Sequence, residues 1–182
     1  MDWYQRLNEY FPEKEMKKHG QLRDLINEQD HYHKEESEDH LILYGEFPSF
    51  LFVDYLLVSP HSRGTGVGSR VIDELKKKKK PILLEVEPID PKDPDTAKRI
   101  HFYEKHGFTQ AEQVRYQRKT EDGDTFEMLI YYWTPNKITP KQVLKNMAKA
   151  CDEIHNYRSM RHYGRIQAKP EDTLELKEPA IA

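Results

Sequence analysis

The hydrophobic positions of this chain change period several times, and each change marks an element. Trp3, Leu7, Tyr10 and Phe11 recur at helical spacing, which predicts a helix at the start. Pro12 is suited to open a second helix, with Met16, Leu22, Leu25 and Ile26 available for burial and Gly20 as a point of interruption. Residues 31–40 are charged and read as a loop, so no strand is expected before residue 41. The pattern then becomes strand-like. Residues 41–47 form one short strand, Pro48 and Ser49 a turn, and residues 50–58 a long apolar run whose one acid is Asp54. Such a run predicts a strand buried on both faces. A helix through Val71, Ile72 and Leu75 follows, and the lysines at 76–80 suit its C-terminal end. Pro81 ends that helix and residues 82–86 are the next buried strand.

Beyond a Pro- and Asp-rich loop at 88–94, Asp95 or Thr96 can cap a helix carrying Ala97, Ile100 and Tyr103. Gly107 stands where a left-handed residue closes a helix, with Phe108 as its hydrophobic follower. Residues 110–119 and 126–133 read as an antiparallel pair turned at 121–124. Thr139-Pro140 starts a last helix, one face of which carries Val143, Leu144, Met147, Cys151, Ile154 and Arg158. From Gly164 there is little to bury, so residues 164–182 are expected to be extended or flexible. The element order predicts an α/β fold with a mixed sheet. It divides into a domain over 1–135, helical over 1–40, and a helical extension over 136–163.

Composition narrows the picture. With 182 residues, 34% charged and 11% aromatic, the chain has enough large apolar side chains for one core and is not a disordered chain. No apolar run approaches the ~18–20 residues of a membrane span. The opening residues carry no hydrophobic leader region, so a cytoplasmic protein is expected. Its single cysteine, Cys151, excludes an internal disulfide or a cysteine-based zinc site, and on an apolar face it reads as a small buried hydrophobe. The net charge of −3 speaks against a dedicated nucleic-acid binder. His31-x-His33, near Glu35, Glu36, Asp39 and His40, is a weak metal candidate without fixed geometry, and no metal is expected. The lysine run reads as a solvated helix end.

The chemistry-bearing signal is a glycine cluster. Of eight glycines, Gly64, Gly66 and Gly68 fall within one short segment between a buried strand and a helix. Glycines there let backbone amides approach an anion at the positive end of the helix. Arg63 adds a fork for phosphate oxygens. No Walker sequence is present. Residues 64–69 give G-x-G-x-x-S, one glycine short of a dinucleotide fingerprint, with Glu85 roughly twenty residues on. Five residues separate this loop from its strand, however, and paired βαβ halves are lacking.

Two stretches carry a family resemblance. Arg63-Gly64-Thr65-Gly66-Val67-Gly68, preceded by Leu57-Val58-Ser59-Pro60, matches an acetyl-CoA signature, Gln/Arg-x-x-Gly-x-Gly/Ala. Phe102-Tyr103-Glu104-Lys105-His106-Gly107-Phe108 matches a helix ending in Tyr before Gly-Phe. With both in order over residues 41–133, the chain resembles the GNAT superfamily of N-acetyltransferases. The resemblance implies a mixed, mostly antiparallel central sheet, splayed at the acetyl-CoA strand and flanked by helices, with extra helices at both ends. It implies acetyl-CoA as cosubstrate. The backbone of Leu57 and Val58 would meet the pantetheine amides, and the loop from Arg63 through Gly64, Thr65, Gly66, Val67 and Gly68 to Ser69 the pyrophosphate. Thr96 stands where relatives often have Asn. Tyr103 would protonate the leaving thiolate, and Glu85 would be the base in transfer to a primary amine of a small molecule or protein. Asp54 is the rival to Glu85, as base or as anchor for a cationic acceptor. The C-terminal helix is left to cover the sheet, shape the acceptor pocket or form a homodimer. A CoA-binding regulatory module with little catalysis is the second reading, and an NAD-dependent oxidoreductase the third.

Overall fold

The computed structural model describes residues 1–177. Helix α1 (Trp3–Tyr10) opens on a capping box: the Gln5 amide donates to Asp2 at 2.8 Å, and the Asp2 amide to the Gln5 side chain at 3.2 Å. Pro12 opens only one 3₁₀ turn, Glu13–Glu15. Helix α2 (His19–Glu28) begins later and contains Gly20 instead of breaking there. A Cβ at Gly20 would lie 3.0 Å from the His162 ring, so this glycine admits a segment from the far end of the chain.

The charged stretch read as a loop is in fact an edge strand, β1 (Tyr32–Glu36). It pairs antiparallel with β2 (His40–Phe47) from Tyr32↔Gly45 to Glu36↔Leu41. Only Tyr32 is buried in it, and charges along an exposed edge guard against stray strand pairing. Strand β3 (Phe50–Val58) is antiparallel to β2. Helix α3 (Val67–Lys76) then carries the chain over to β4 (Ile82–Val86), which lies parallel to β3. After α4 (Pro94–Lys105) come β5 (Thr109–Gln110), β6 (Val114–Lys119), β7 (Thr125–Glu127) and β8 (Leu129–Trp133). The main sheet has the order β1-β2-β3-β4-β8-β5, and its one parallel pair is β3–β4. This is the expected mixed, mostly antiparallel sheet, and among the described residues there is no pair of βαβ halves for a dinucleotide.

The anticipated pairing of 110–119 with 126–133 forms only in part. Gln117↔Glu127 to Lys119↔Thr125 pair, and from Leu129 the chain crosses into the main sheet beside β4. Both faces of the sheet are covered. Phe50 and Phe52 point to one core with Leu7, Leu25, Val143 and Met147, whereas Leu51 and Val53 point to another with Ile72 and Ile100.

Helix α5 (Pro140–Ala150) starts at a Thr139–Gln142 capping box. It runs into a π turn, Cys151–His155, closed by the Asn156 amide on the Cys151 carbonyl at 2.8 Å. Cys151 is fully buried, whereas Arg158 turns outward to Glu28. Beyond α6 (Ser159–Tyr163) and α7 (Pro170–Thr173), strand β9 (Leu174–Leu176) pairs with β6. The tail expected to be extended or flexible is therefore docked through residue 177; residues 178–182 lie outside the described part. Buried Gln21 ties the two ends together. It donates to the carbonyls of His155 and Tyr157 at 2.9 and 3.0 Å, and accepts from the Tyr163 hydroxyl at 2.9 Å.

Candidate active site

Strands β3 and β4 pair only from Leu51↔Ile82 to Val53↔Leu84. Beyond that point β3 remains bonded to β2, and β4 to β8, while the two part from each other. Their facing backbone groups are left for another partner, apart from the Val58 carbonyl, which accepts from Arg63 Nε at 3.4 Å. Beside this cleft a groove of about 450 Å³ runs between α3 and α4.

The glycine loop forms one wall. Gly64 and Gly66 have φ of +79° and +86°, and a Cβ at either would meet nothing within 4 Å. Backbone conformation is the reason for glycine at both. Gly68 serves packing, since its Cβ would lie 3.0 Å from the Phe102 ring. Gly66 caps α3, so the first-turn amides at Val67, Gly68 and Ser69 lack helical acceptors. Arg63, Lys98, Arg99 and Lys105 line the groove against a single acid, Asp95. These features fit a phosphate-bearing ligand. The Tyr10 ring sits under the guanidinium groups of Arg63 and Arg99, at 5.2 and 5.1 Å.

Tyr103 lies at the base of the groove and also lines a small cavity of about 30 Å³ in the cleft. Burial raises its phenol, so the hydroxyl keeps its proton at neutral pH. Glu85 and Asp54 line the same cavity. Glu85 accepts from His155 Nε2 at 2.9 Å, and Arg118 stands at 3.7 Å. A carboxylate only accepts, so Nε2 carries the proton. Burial holds His155 neutral, which leaves its Nδ1 unprotonated. Asp54 takes Lys17 Nζ on one oxygen and the Tyr32 hydroxyl on the other, each at 2.7 Å.

The chain is 42% identical over 178 residues to "Putative acetyltransferase YjbC" of Bacillus subtilis (strain 168), covering 97% of this chain and 93% of that one. A family model described as acetyltransferase (GNAT) domain matches residues 27–110. This chain belongs to the GNAT acetyltransferase family. Among solved structures, "Putative acetyltransferase from GNAT family" of Bacteroides thetaiotaomicron superposes with a TM-score of 0.66 at 25% identity, over 87% of this chain and 88% of that one. The ribosomal-protein-S18-alanine N-acetyltransferase of Escherichia coli shares the fold, with a TM-score of 0.50 at 20% identity over 75% of this chain and 85% of that one.

The GNAT signature residues divide by position. Val58, Arg63, Gly64, Gly66, Val67, Gly68, Ser69 and Tyr103 all line the groove. Leu57, Thr65 and Thr96 do not. The Leu57 side chain belongs to the core with Phe52, and the Thr65 hydroxyl turns back to the Ser62 carbonyl. Thr96 accepts from the Asp90 amide at 2.8 Å and donates to the Asp93 carbonyl at 2.7 Å, so it tightens the loop ahead of α4. Glu87 lies 3.5 Å from Lys14 and 3.9 Å from Arg99.

The carboxylates expected to act as base are both engaged. Burial works against ionising Glu85, but His155 and Arg118 outweigh it and bring its pKa down to about 2. A carboxylate held this low takes a proton from an ammonium less readily than water does at pH 7. Both Asp54 oxygens are committed to Lys17 and Tyr32. Among the described residues no group of three or more His, Cys, Asp or Glu is placed to hold a metal, and no helix is long and apolar enough to cross a membrane.

Proposed function

We propose that this GNAT acetyltransferase moves the acetyl group of acetyl-CoA to a primary amine by direct attack. The observation that carries the reading is the meeting of three features at one place: the parted strands, the glycine groove and the buried hydroxyl of Tyr103. The open amides after Gly66, with Arg63, would hold the pyrophosphate, and the free edge of β3 near Val58 would hold the pantetheine arm. When bound, acetyl-CoA supplies an activated thioester carbonyl. Tyr103 donates its proton toward the leaving sulfur, a role open to a phenol that stays protonated. Glu85 and Arg118 form an ion pair beneath the cleft, and neutral His155 donates a hydrogen bond to the Glu85 carboxylate.

Gly66→Asp tests the groove. Aspartate there is strained at positive φ and sets a negative charge against phosphate. Acetyl-CoA affinity, measured by calorimetry on the folded variant, is expected to fall at least ~100-fold, the loss of two charge-assisted amide bonds at roughly 1.5 kcal/mol each. Unchanged affinity means the groove is not the site. Turnover is tested by thiol release from acetyl-CoA against polyamines, amino acids, aminoglycosides and peptides with free N-termini. Release that depends on the amine supports the transfer; tight binding without release by any amine favours the regulatory module.

A further inference from the structure

We propose that Glu15 is the group that takes the proton of the acceptor amine, an assignment that rests on the amine-transfer reading above. The cavities of the molecule form a series. The groove meets the small cleft cavity at Leu56, Arg99 and Tyr103. On the far side a second large cavity, about 440 Å³, lies between the 3₁₀ turn, the β6–β7 turn and the C-terminal segment. The cleft cavity and this second large cavity share one lining residue, Glu15. An acceptor amine placed in the cleft cavity meets this side chain.

The backbone of Glu15 is pinned while its side chain is free. Its carbonyl accepts from the Tyr55 hydroxyl at 2.7 Å, and the Lys17 amide donates to the same hydroxyl at 2.9 Å. Strand β3 thus fixes the turn. Glu15 Oε2 is nonetheless buried without a hydrogen-bond partner among the described residues. Asp54 differs in having both oxygens bonded; Glu85 also has a buried oxygen without a hydrogen bond, Oε1, but Arg118 stands 3.7 Å from it and His155 holds the other oxygen.

The surroundings favour proton uptake. Burial raises Glu15 to about 7; Glu87 and Glu85 of β4 add to the rise, and Arg99 of α4 and Lys14 of the turn oppose it. Asp54 of β3, Lys17, Arg118 of β6 and His155 of the π turn share a further small cavity with it, and Tyr103 of α4 shares the cleft. Lys17 is matched by Asp54, and Arg118 by Glu85. The Glu15 carboxylate therefore forms as pH rises through about 7, and a rate that needs it rises over the same interval. In the step, one N–H bond of the ammonium breaks toward Oε2 and its electron pair stays on nitrogen. Glu15, now a carboxylic acid, returns the proton to solvent through the second cavity, whose rim carries exposed Glu13 and Glu121.

Two measurements on the full chain test this. Carboxyl carbon NMR of the unliganded protein is expected to show one glutamate titrating near pH 7, lost in Glu15→Gln. With the best acceptor from the panel, Glu15→Gln is expected to lose ~100-fold in kcat/KM at pH 7. It should recover toward wild type by pH 10, where the amine deprotonates unaided, and should keep acetyl-CoA affinity within about threefold. Glu15→Asp should retain the alkaline rise through neutrality. A Glu15 carboxyl that titrates near the ordinary value, or a Glu15→Gln profile parallel to an active wild type, overturns this assignment alone. A wild type that binds acetyl-CoA and acetylates no amine overturns the transfer reading, and this assignment with it.

Discussion

Lys17→Met is expected to destabilise the fold by about 3–5 kcal/mol, the range for removing one partner of a buried ion pair. Lys17 and Asp54 lie 2.7 Å apart, with side chains 7% and 3% exposed. Methionine keeps much of the stem volume and removes the charge. Asp54 then has only the Tyr32 hydroxyl to answer its negative charge. At roughly 2–4 °C per kcal/mol for a chain of this size, the melting temperature should fall by about 6–20 °C. Replacing both residues by apolar ones should recover most of that loss, because a buried pair exchanged as a unit is near neutral. A drop below about 3 °C for the single variant would show that Asp54 finds solvent and that the pair holds nothing.

Tyr103→Phe should lower kcat and kcat/KM together by ~10²–10⁴-fold, the usual range for a general acid, with acetyl-CoA affinity held within about threefold. The ring packs edge-on against Phe102 and Phe108, contacts that phenylalanine keeps. Only the hydroxyl is removed, so stability serves as the control. A loss in rate below about threefold would leave Tyr103 as packing at the base of the groove.

The features read correctly from sequence were those with a local cause. The strands at Phe50–Val58 and Ile82–Val86 announce themselves as apolar runs, and the loop at 63–69 by glycines whose conformation other residues rarely adopt. Strand β1 was hidden because its sequence, Tyr-His-Lys-Glu-Glu, buries only its first residue and owes its shape to pairing with β2. The partner of β8 was equally invisible: Met128 separates it from the hairpin, and the choice of β4 is a matter of distant packing. Glu15 looked like one more acid in a Glu-Lys-Glu run after Pro12. Only the fold carries it into the cleft. His155 escapes the pattern because helical spacing singles out Cys151 and Ile154, and the wide turn that brings it to Glu85 leaves no mark in a run of hydrophobic positions. The one available signal is a single histidine near a helix end, too common to weigh.

The clasp between the first helices and the last segment sets a timetable for synthesis. Gln21 meets backbone 134 and 136 residues later, Asp24 meets His162 138 residues later, and Lys18 meets Tyr163 145 residues later. At the usual ~5–20 residues per second, α2 leaves the ribosome roughly 7–30 s before those partners exist. Closing so wide a loop, compared with one of about ten residues, adds about 2 kcal/mol of chain entropy. The turn bearing Glu15 and the segment bearing His155 therefore meet among the last events of folding, so a nascent chain holds a finished glycine groove well before it holds a finished site.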